Sequence, residues 1–181
     1  MNEQLQLKNY VRIEEFLHPE LCEVLARQFK TDCINNFVKS DSNVNHAPAV
    51  YMYPAFVKLL YSKIFFMNQL LGESLYPTYT YARWYQHGAE LKPHTDAEAC
   101  EISVTLNLSG DQWPIYMTTP EGDVEEINLI PGDAVVYRGI RSRHWREKFQ
   151  AKECIQAFLH YVRIDGPNAE HAFDLKRQSM L

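Results

Sequence analysis

At 181 residues the chain is about one domain long and can bury a real core. Its 46% hydrophobic and 23% charged residues are the composition of an ordinary globular protein. The formal net charge of -5 argues against a broad nucleic-acid-binding face, which needs clustered Lys and Arg.

In chain order, Met1–Tyr10 is polar and has no apolar signal-type segment. Val11–Leu17 reads as a short strand. His18-Pro19-Glu20 then opens a helix, with Pro19 at the first helical position and Leu21, Val24, Leu25 and Phe29 at helical spacing. Asp32–Pro48 is rich in Asn, Asp and Ser and reads as a loop, either a lid that selects substrate or an ordinary surface connection. A second helix is predicted from Pro54 to Leu71, with Phe56, Leu59, Leu60, Ile64, Met67 and Leu71 on one face and Gly72 as its cap. Its apolar run is broken by Lys58, Lys63, Asn68 and Gln69, too short and too polar to span a bilayer.

After Gly72 the pattern changes to short β-rich runs: Tyr76–Tyr85, Glu101–Leu108, Ile115–Thr119, Val124–Ile130, Ala134–Arg138 and Cys154–Arg163. Turn residues separate them, among them Ser109-Gly110-Asp111 and Pro131-Gly132-Asp133. Two helices followed by many short strands predict a mainly β sandwich or barrel, buttressed by N-terminal helices. The expectation is one domain over 1–181, with helical support over about 11–72 and a β core over about 76–163. Residues 165–181 read as a closing turn and short helix. Eleven Tyr, nine Phe and three Trp suit strands and a walled pocket.

Cys22, Cys33, Cys100 and Cys154 contain no C-x2-C pair, which disfavours a structural zinc site. They read as reduced, buried thiols of a cytoplasmic-type compartment.

The chemistry concentrates at His94-Thr95-Asp96. In an extended segment alternate side chains share a face, so His94 and Asp96 can reach one metal ion together. Pro93 favours that extended conformation, and Gly88 sits in a turn leaving the aromatic strand Tyr79–Tyr85. One more imidazole completes a set of two His and one carboxylate, which occupies one face of an octahedron and leaves the other positions open. His144 suits that role because it follows the Pro131-Gly132-Asp133 turn and an apolar strand and precedes another strand. His160, in the last strand, is its main rival, and His87 lies in the turn before His94. His18, His46 and His171 fall outside the β core.

The run Tyr85-x2-Gly88-x5-His94-x-Asp96, together with Pro131-Gly132-Asp133 through His144-Trp145-Arg146-Glu147, resembles the 2-oxoglutarate/Fe(II) dioxygenases, in particular their prolyl-hydroxylase branch. The resemblance spans about Val11 to Arg163 and is specific only around the ligands. It implies a double-stranded β-helix, a form of jelly roll, with Fe(II) held by His94, Asp96 and His144 and no further catalytic side chain. It also implies 2-oxoglutarate and O2 as cosubstrates, with hydroxylation of a substrate and release of succinate and CO2. Tyr85 matches a tyrosine beside the cosubstrate, and Asn107 a polar contact to its far carboxylate. The family's usual basic residue nine or ten positions after the second His is absent here, where Glu153 and Cys154 stand. Lys152 is the nearest base by position, with Arg146, Arg163 and Arg83 as alternatives.

The resemblance implies a peptide or protein substrate, with proline the first residue to test, or a small molecule. The competing reading is a jelly-roll module that binds metal without oxidising anything. A metal hydrolase on the same scaffold is a third. No basic stripe with interleaved aromatics is visible, so nucleic acid ranks low as a substrate.

Overall fold

The computed structural model describes residues 3–174. Its elements run α1 (Glu3–Lys8), β1 (Tyr10–Ile13), α2 (Pro19–Asn35), β2 (Ala49–Tyr51), α3 (Pro54–Ser62), α4 (Ile64–Leu71) and β3 (Leu75–Gln86). They continue with β4 (Leu91–His94), β5 (Ile102–Gly110), β6 (Ile115–Thr118), β7 (Val124–Ile127), β8 (Ala134–Tyr137), β9 (His144–Arg146) and β10 (Glu153–Arg163). A six-stranded sheet has the order β1-β8-β5-β10-β3-β2, and a four-stranded sheet the order β4-β9-β6-β7. Every recorded strand pair is antiparallel, giving the expected jelly roll with helices on its N-terminal side.

Side-chain alternation in the large sheet explains how the molecule is layered. On β5, Ile102, Val104, Leu106 and Leu108 join the main apolar core, while Ser103, Thr105 and Asn107 point to the other side; all seven are buried. On β10, Ile155, Ala157, Leu159 and Tyr161 likewise face the core, whereas Cys154, Gln156 and His160 face away from it. The core face is covered by the helices, through Cys22, Ala26 and Phe29 of α2, Phe56 and Leu60 of α3, and Met67 and Leu71 of α4. Phe29 meets Tyr53 edge-on at 5.2 Å, which packs α2 against the entry to α3. The other face closes over a mixed interior, where polar groups of β5 and β10 lie beside two smaller apolar clusters, one around Ile115, Met117 and Val135 and one around Tyr85, Trp113 and Phe149; the site lies there.

Several elements depart from the sequence expectation. The predicted single helix over 54–71 breaks at Lys63, which adopts φ −91° and ψ −6° and caps both halves. The Lys63 ammonium donates to the Phe16 carbonyl and sits 4.4 Å from the Phe16 ring centre, so tertiary contacts hold the bend. Helix α2 continues to Asn35, which shortens the expected loop, and β2 adds an edge strand against β3. Helix α1 forms in the polar N-terminal stretch by burying Leu5, while Leu7 stays exposed. The first expected strand stops at Ile13. In the expected closing helix, Ala169–Asp174 forms 3-10 turns, and 175–181 lie outside the described residues.

Pro131-Gly132-Asp133 is a turn, as read. The Asp133 amide donates to the Ile130 carbonyl at 2.9 Å, and Gly132 has φ +101°. A Cβ there would meet the Leu17 carbonyl at 2.7 Å. The turn also bonds to β5 through the Gly132 and Asn107 amides, and buried Asp133 accepts from Arg12 at 2.6 Å. Gly132→Ala is therefore expected to cost about 1–3 kcal/mol from the left-handed backbone alone. A urea titration should show a lower midpoint with an unchanged slope; an unchanged midpoint would count against this account of the turn.

Candidate metal centre and adjoining cavity

The two histidines are brought together by strand register. β4 and β9 pair antiparallel with His94 directly opposite His144, so both rings leave the same face. Their centroids are 4.3 Å apart. The ladder is irregular between Leu91 and His94, where Pro93 has no N–H to give. Just beyond β4, the Asp96 amide donates to the Gly139 carbonyl at 2.9 Å, tying the acidic ligand to the loop that leads into β9.

Asp96 Oδ1 lies 3.6 Å from His94 Nε2 and 3.5 Å from His144 Nε2. One ligand atom from each of the three residues fits within a span of 4.8 Å. Each imidazole has its Nδ1 2.8 Å from a backbone carbonyl, that of Lys92 for His94 and of Ser142 for His144. A carbonyl can only accept, so Nδ1 carries the proton and the Nε2 lone pairs converge on the point that Asp96 faces. The donor chemistry fits a divalent transition metal bound on one side only. His144 is almost fully buried and His94 half-exposed, so the centre opens on the His94 side.

Electrostatics match this arrangement. Burial alone would raise the Asp96 pKa, but the facing His94 ring, the nearby His144 and His160 and the hydrogen bond from Ser103 hold it at about 2. The carboxylate is therefore ionised at any working pH. The Asp96 carboxylate facing its ring raises His94, whereas burial lowers His144. Burial also takes His160 down to about 4 and pushes the Cys100 thiol up to about 12.

The centre forms part of the wall of a cavity of about 580 Å³ lined from both sheets. Alternate residues of β3, Tyr79, Tyr81, Arg83 and Tyr85, supply one wall, and Arg146 of β9 another. Asn43 and Val44, from the loop after α2, also line it. That loop is held by Asp41, which accepts from Arg83 at 2.7 Å and from the Tyr81 hydroxyl at 3.0 Å. Ser103 and Gly139 had no signal in sequence, because their roles arise only where β5 and the loop before β9 meet Asp96. Ser103 donates to Asp96 Oδ2 at 2.7 Å, and a Cβ on Gly139 would stand 2.5 Å from that same oxygen.

The other candidates are placed as follows. Tyr85 is buried in the wall with its ring 4.8 Å from Trp113. Arg146 is fully buried, donates to the Trp113 carbonyl and to Gln156 Oε1, and lies over the Trp113 ring. Asn107 is buried with its amide donating to the Leu129 carbonyl at 2.8 Å, and it is not among the cavity-lining residues. Lys152 is exposed and also outside the lining. Arg163 pairs with Glu101 at 2.5 Å and is not among the cavity-lining residues. His160 lines the cavity with its Nδ1 on Ser103, while His87 is exposed and bonds the Gln150 carbonyl. The four cysteines are buried free thiols, and among the described residues no helix is long and apolar enough to cross a membrane.

No family model and no curated protein matches the sequence. Solved structures do match the fold. A prolyl-4-hydroxylase from Pseudomonas putida superposes with TM-score 0.73 at 16% identity, covering 89% of this chain and 96% of that one. The viral collagen prolyl hydroxylase of Paramecium bursaria Chlorella virus-1, in a 2-oxoglutarate complex, matches at 0.64 and 16%, covering 85% and 96%. HygX from Streptomyces hygroscopicus, with nickel and 2-oxoglutarate bound, matches at 0.69 and 9%, covering 87% and 84%. The chain thus has the double-stranded β-helix fold seen in 2-oxoglutarate/Fe(II) oxygenase structures.

Removing a ligand should leave this fold intact. Asp96→Ala and His144→Ala are expected to abolish binding of Fe(II), or of Co(II) as a stable substitute, by calorimetry, with circular dichroism unchanged. Retained binding in His144→Ala would move the third ligand to another residue.

Proposed function

We propose that this chain is an Fe(II)- and 2-oxoglutarate-dependent oxygenase that hydroxylates a substrate admitted to the cavity beside His94, Asp96 and His144. The observation that carries the reading is the pairing of a three-ligand centre with a buried, uncompensated guanidinium in one cavity. Among the described residues Arg146 has no carboxylate partner. The groups that favour its charge, Tyr85, Cys154 and Tyr137, are all neutral at ordinary pH, and burial lowers its pKa. A buried lone cation is costly, and an incoming anion relieves that cost.

Arg83 is already matched by Asp41, and Arg163 by Glu101. Arg146 is therefore the base with charge to spare. It stands two residues after His144 on the same strand face, with Tyr85 beside it. In this reading the cosubstrate's near end lies at the metal and its far carboxylate on Arg146, with Tyr85 closing the pocket. Bound there with 2-oxoglutarate, iron would supply oxidation of the substrate by O2, with release of succinate and CO2. The protein's part is to orient three ligands, to leave the remaining positions open toward the cavity, and to wall out water with Phe158 and with Tyr85, which Trp113 backs.

The volume left beside a five-carbon diacid is lined by Tyr79, Tyr81, Asn43 and Lys92 and opens past His94, which suits a peptide side chain, with proline the first choice, or a small molecule. A purely binding module has no need for vacant coordination positions beside three ligands, which favours the enzyme.

Anaerobic Fe(II) followed by 2-oxoglutarate is expected to give a weak visible charge-transfer band requiring both, and air should then yield succinate. No band and no succinate would sink the reading. Arg146→Gln should weaken 2-oxoglutarate by about 2–5 kcal/mol, roughly 30-fold or more, as expected for a buried charge pair. Lys152→Ala should leave the affinity unchanged; the reverse result would reassign the anchor.

A further inference from the structure

A second set of metal-binding atoms lies against the first. Asp96, Cys100 and His160 bring one ligand atom each within 4.8 Å of one another, and all three line the cavity. Either Asp96 is shared by two competing metal positions, or the second set serves the first.

The hydrogen bonds discriminate between these. The Ser103 hydroxyl has one proton, and its shortest acceptor is Asp96 Oδ2 at 2.7 Å, against 3.3 Å for the Cys100 carbonyl. With that proton committed, Ser103 Oγ can only accept from His160 Nδ1, 3.0 Å away. The chain therefore runs in one direction, from His160 Nδ1–H to Ser103 Oγ–H to Asp96 Oδ2. The Cys100 sulfur is 2.9 Å from the Tyr79 hydroxyl, and the Tyr79 ring packs on His160 at 4.7 Å. Packing thus fixes the far end of the chain. Asp96 Oδ2 is engaged on the side away from the two histidines, and Oδ1 is the oxygen facing them.

We propose that His160 and Ser103 are positioning residues, a directional relay that orients Asp96 toward His94 and His144, and that the Asp96–Cys100–His160 set holds no metal of its own. This rests on the metal centre described above. Among the described residues the Ser103 hydroxyl is the one recorded hydrogen-bond donor to this carboxylate, so the relay sets its orientation, and loss of such an outer partner typically costs 10–100-fold in metal affinity.

The test is an anaerobic Co(II) titration followed by visible and near-ultraviolet absorption. Ser103→Ala and His160→Leu are expected to bind Co(II) 10–100-fold more weakly than the parent protein, with altered visible bands. His160→Asn, whose side-chain N–H reaches the place of Nδ1–H, should recover most of the affinity. The parent protein should show no thiolate-to-cobalt band near the ultraviolet edge. Parent-like binding by both Ser103→Ala and His160→Leu would overturn the relay, as would a His160→Asn variant as weak as His160→Leu. A thiolate band lost in Cys100→Ala would instead make the second set a metal site. Should His160→Leu not fold, Ser103→Ala decides the matter. If the parent protein binds no Co(II), the metal centre and the relay fall together; if it binds normally and only the relay variants are unaffected, the relay alone falls.

Discussion

Strands β5 and β10 bury both faces, and every polar group on their inner face must therefore find a partner out of reach of bulk water. Satisfying that demand organises the interior. Asn107 turns to the Leu129 carbonyl, Gln156 takes Arg146, and Ser103 joins His160 to Asp96. A jelly roll with an apolar interior would need none of these contacts. Here the outer face of the same strands, from Ile102 to Leu108 and from Ile155 to Tyr161, carries the apolar contacts with the helices. Burying a side chain of this size contributes about 1.5–3 kcal/mol. The outer layer supplies cohesion, so the inner layer is free to hold charge.

Much of this was legible in the sequence, for identifiable reasons. The alternation Ile-Ser-Val-Thr-Leu-Asn-Leu over 102–108 announces a strand with one apolar and one polar face, and the helical spacing of α2 announces its cover. His94 and Asp96 could be paired because extended geometry is local. His144 needed the family likeness, since β9 is three residues long and a run that short has no alternation to detect. For the same reason Arg146 stood level with three other bases, and distance along the chain favoured Lys152. Ionic partners separate them: Asp41 for Arg83 and Glu101 for Arg163 come from distant segments, so the charge left over on Arg146 is a property of the fold.

The bend at Lys63, between α3 and α4, shows the opposite limit. Local propensity predicts one continuous helix over 54–71, because Lys is a good helix former and no Gly or Pro intervenes. The break comes from a carbonyl and a ring contributed by Phe16, 47 residues away. The helical layer is thereby bent to follow the sheet. Ser103 and Gly139 are similar at the centre itself, since one hydroxyl and one missing methyl acquire meaning only against Asp96 Oδ2.

The brevity of β9 has a geometric corollary. His144 and Arg146 are successive same-face residues on one strand, about 6.6 Å apart along the backbone. Pairing with β4 and with β6 holds that strand on both sides, so the interval cannot stretch. In the proposed site, metal and guanidinium would thus form a fixed gauge. A ligand that must chelate at one end and form an ion pair at the other would be selected by its length, and a diacid one carbon shorter would fall short of one mark or the other.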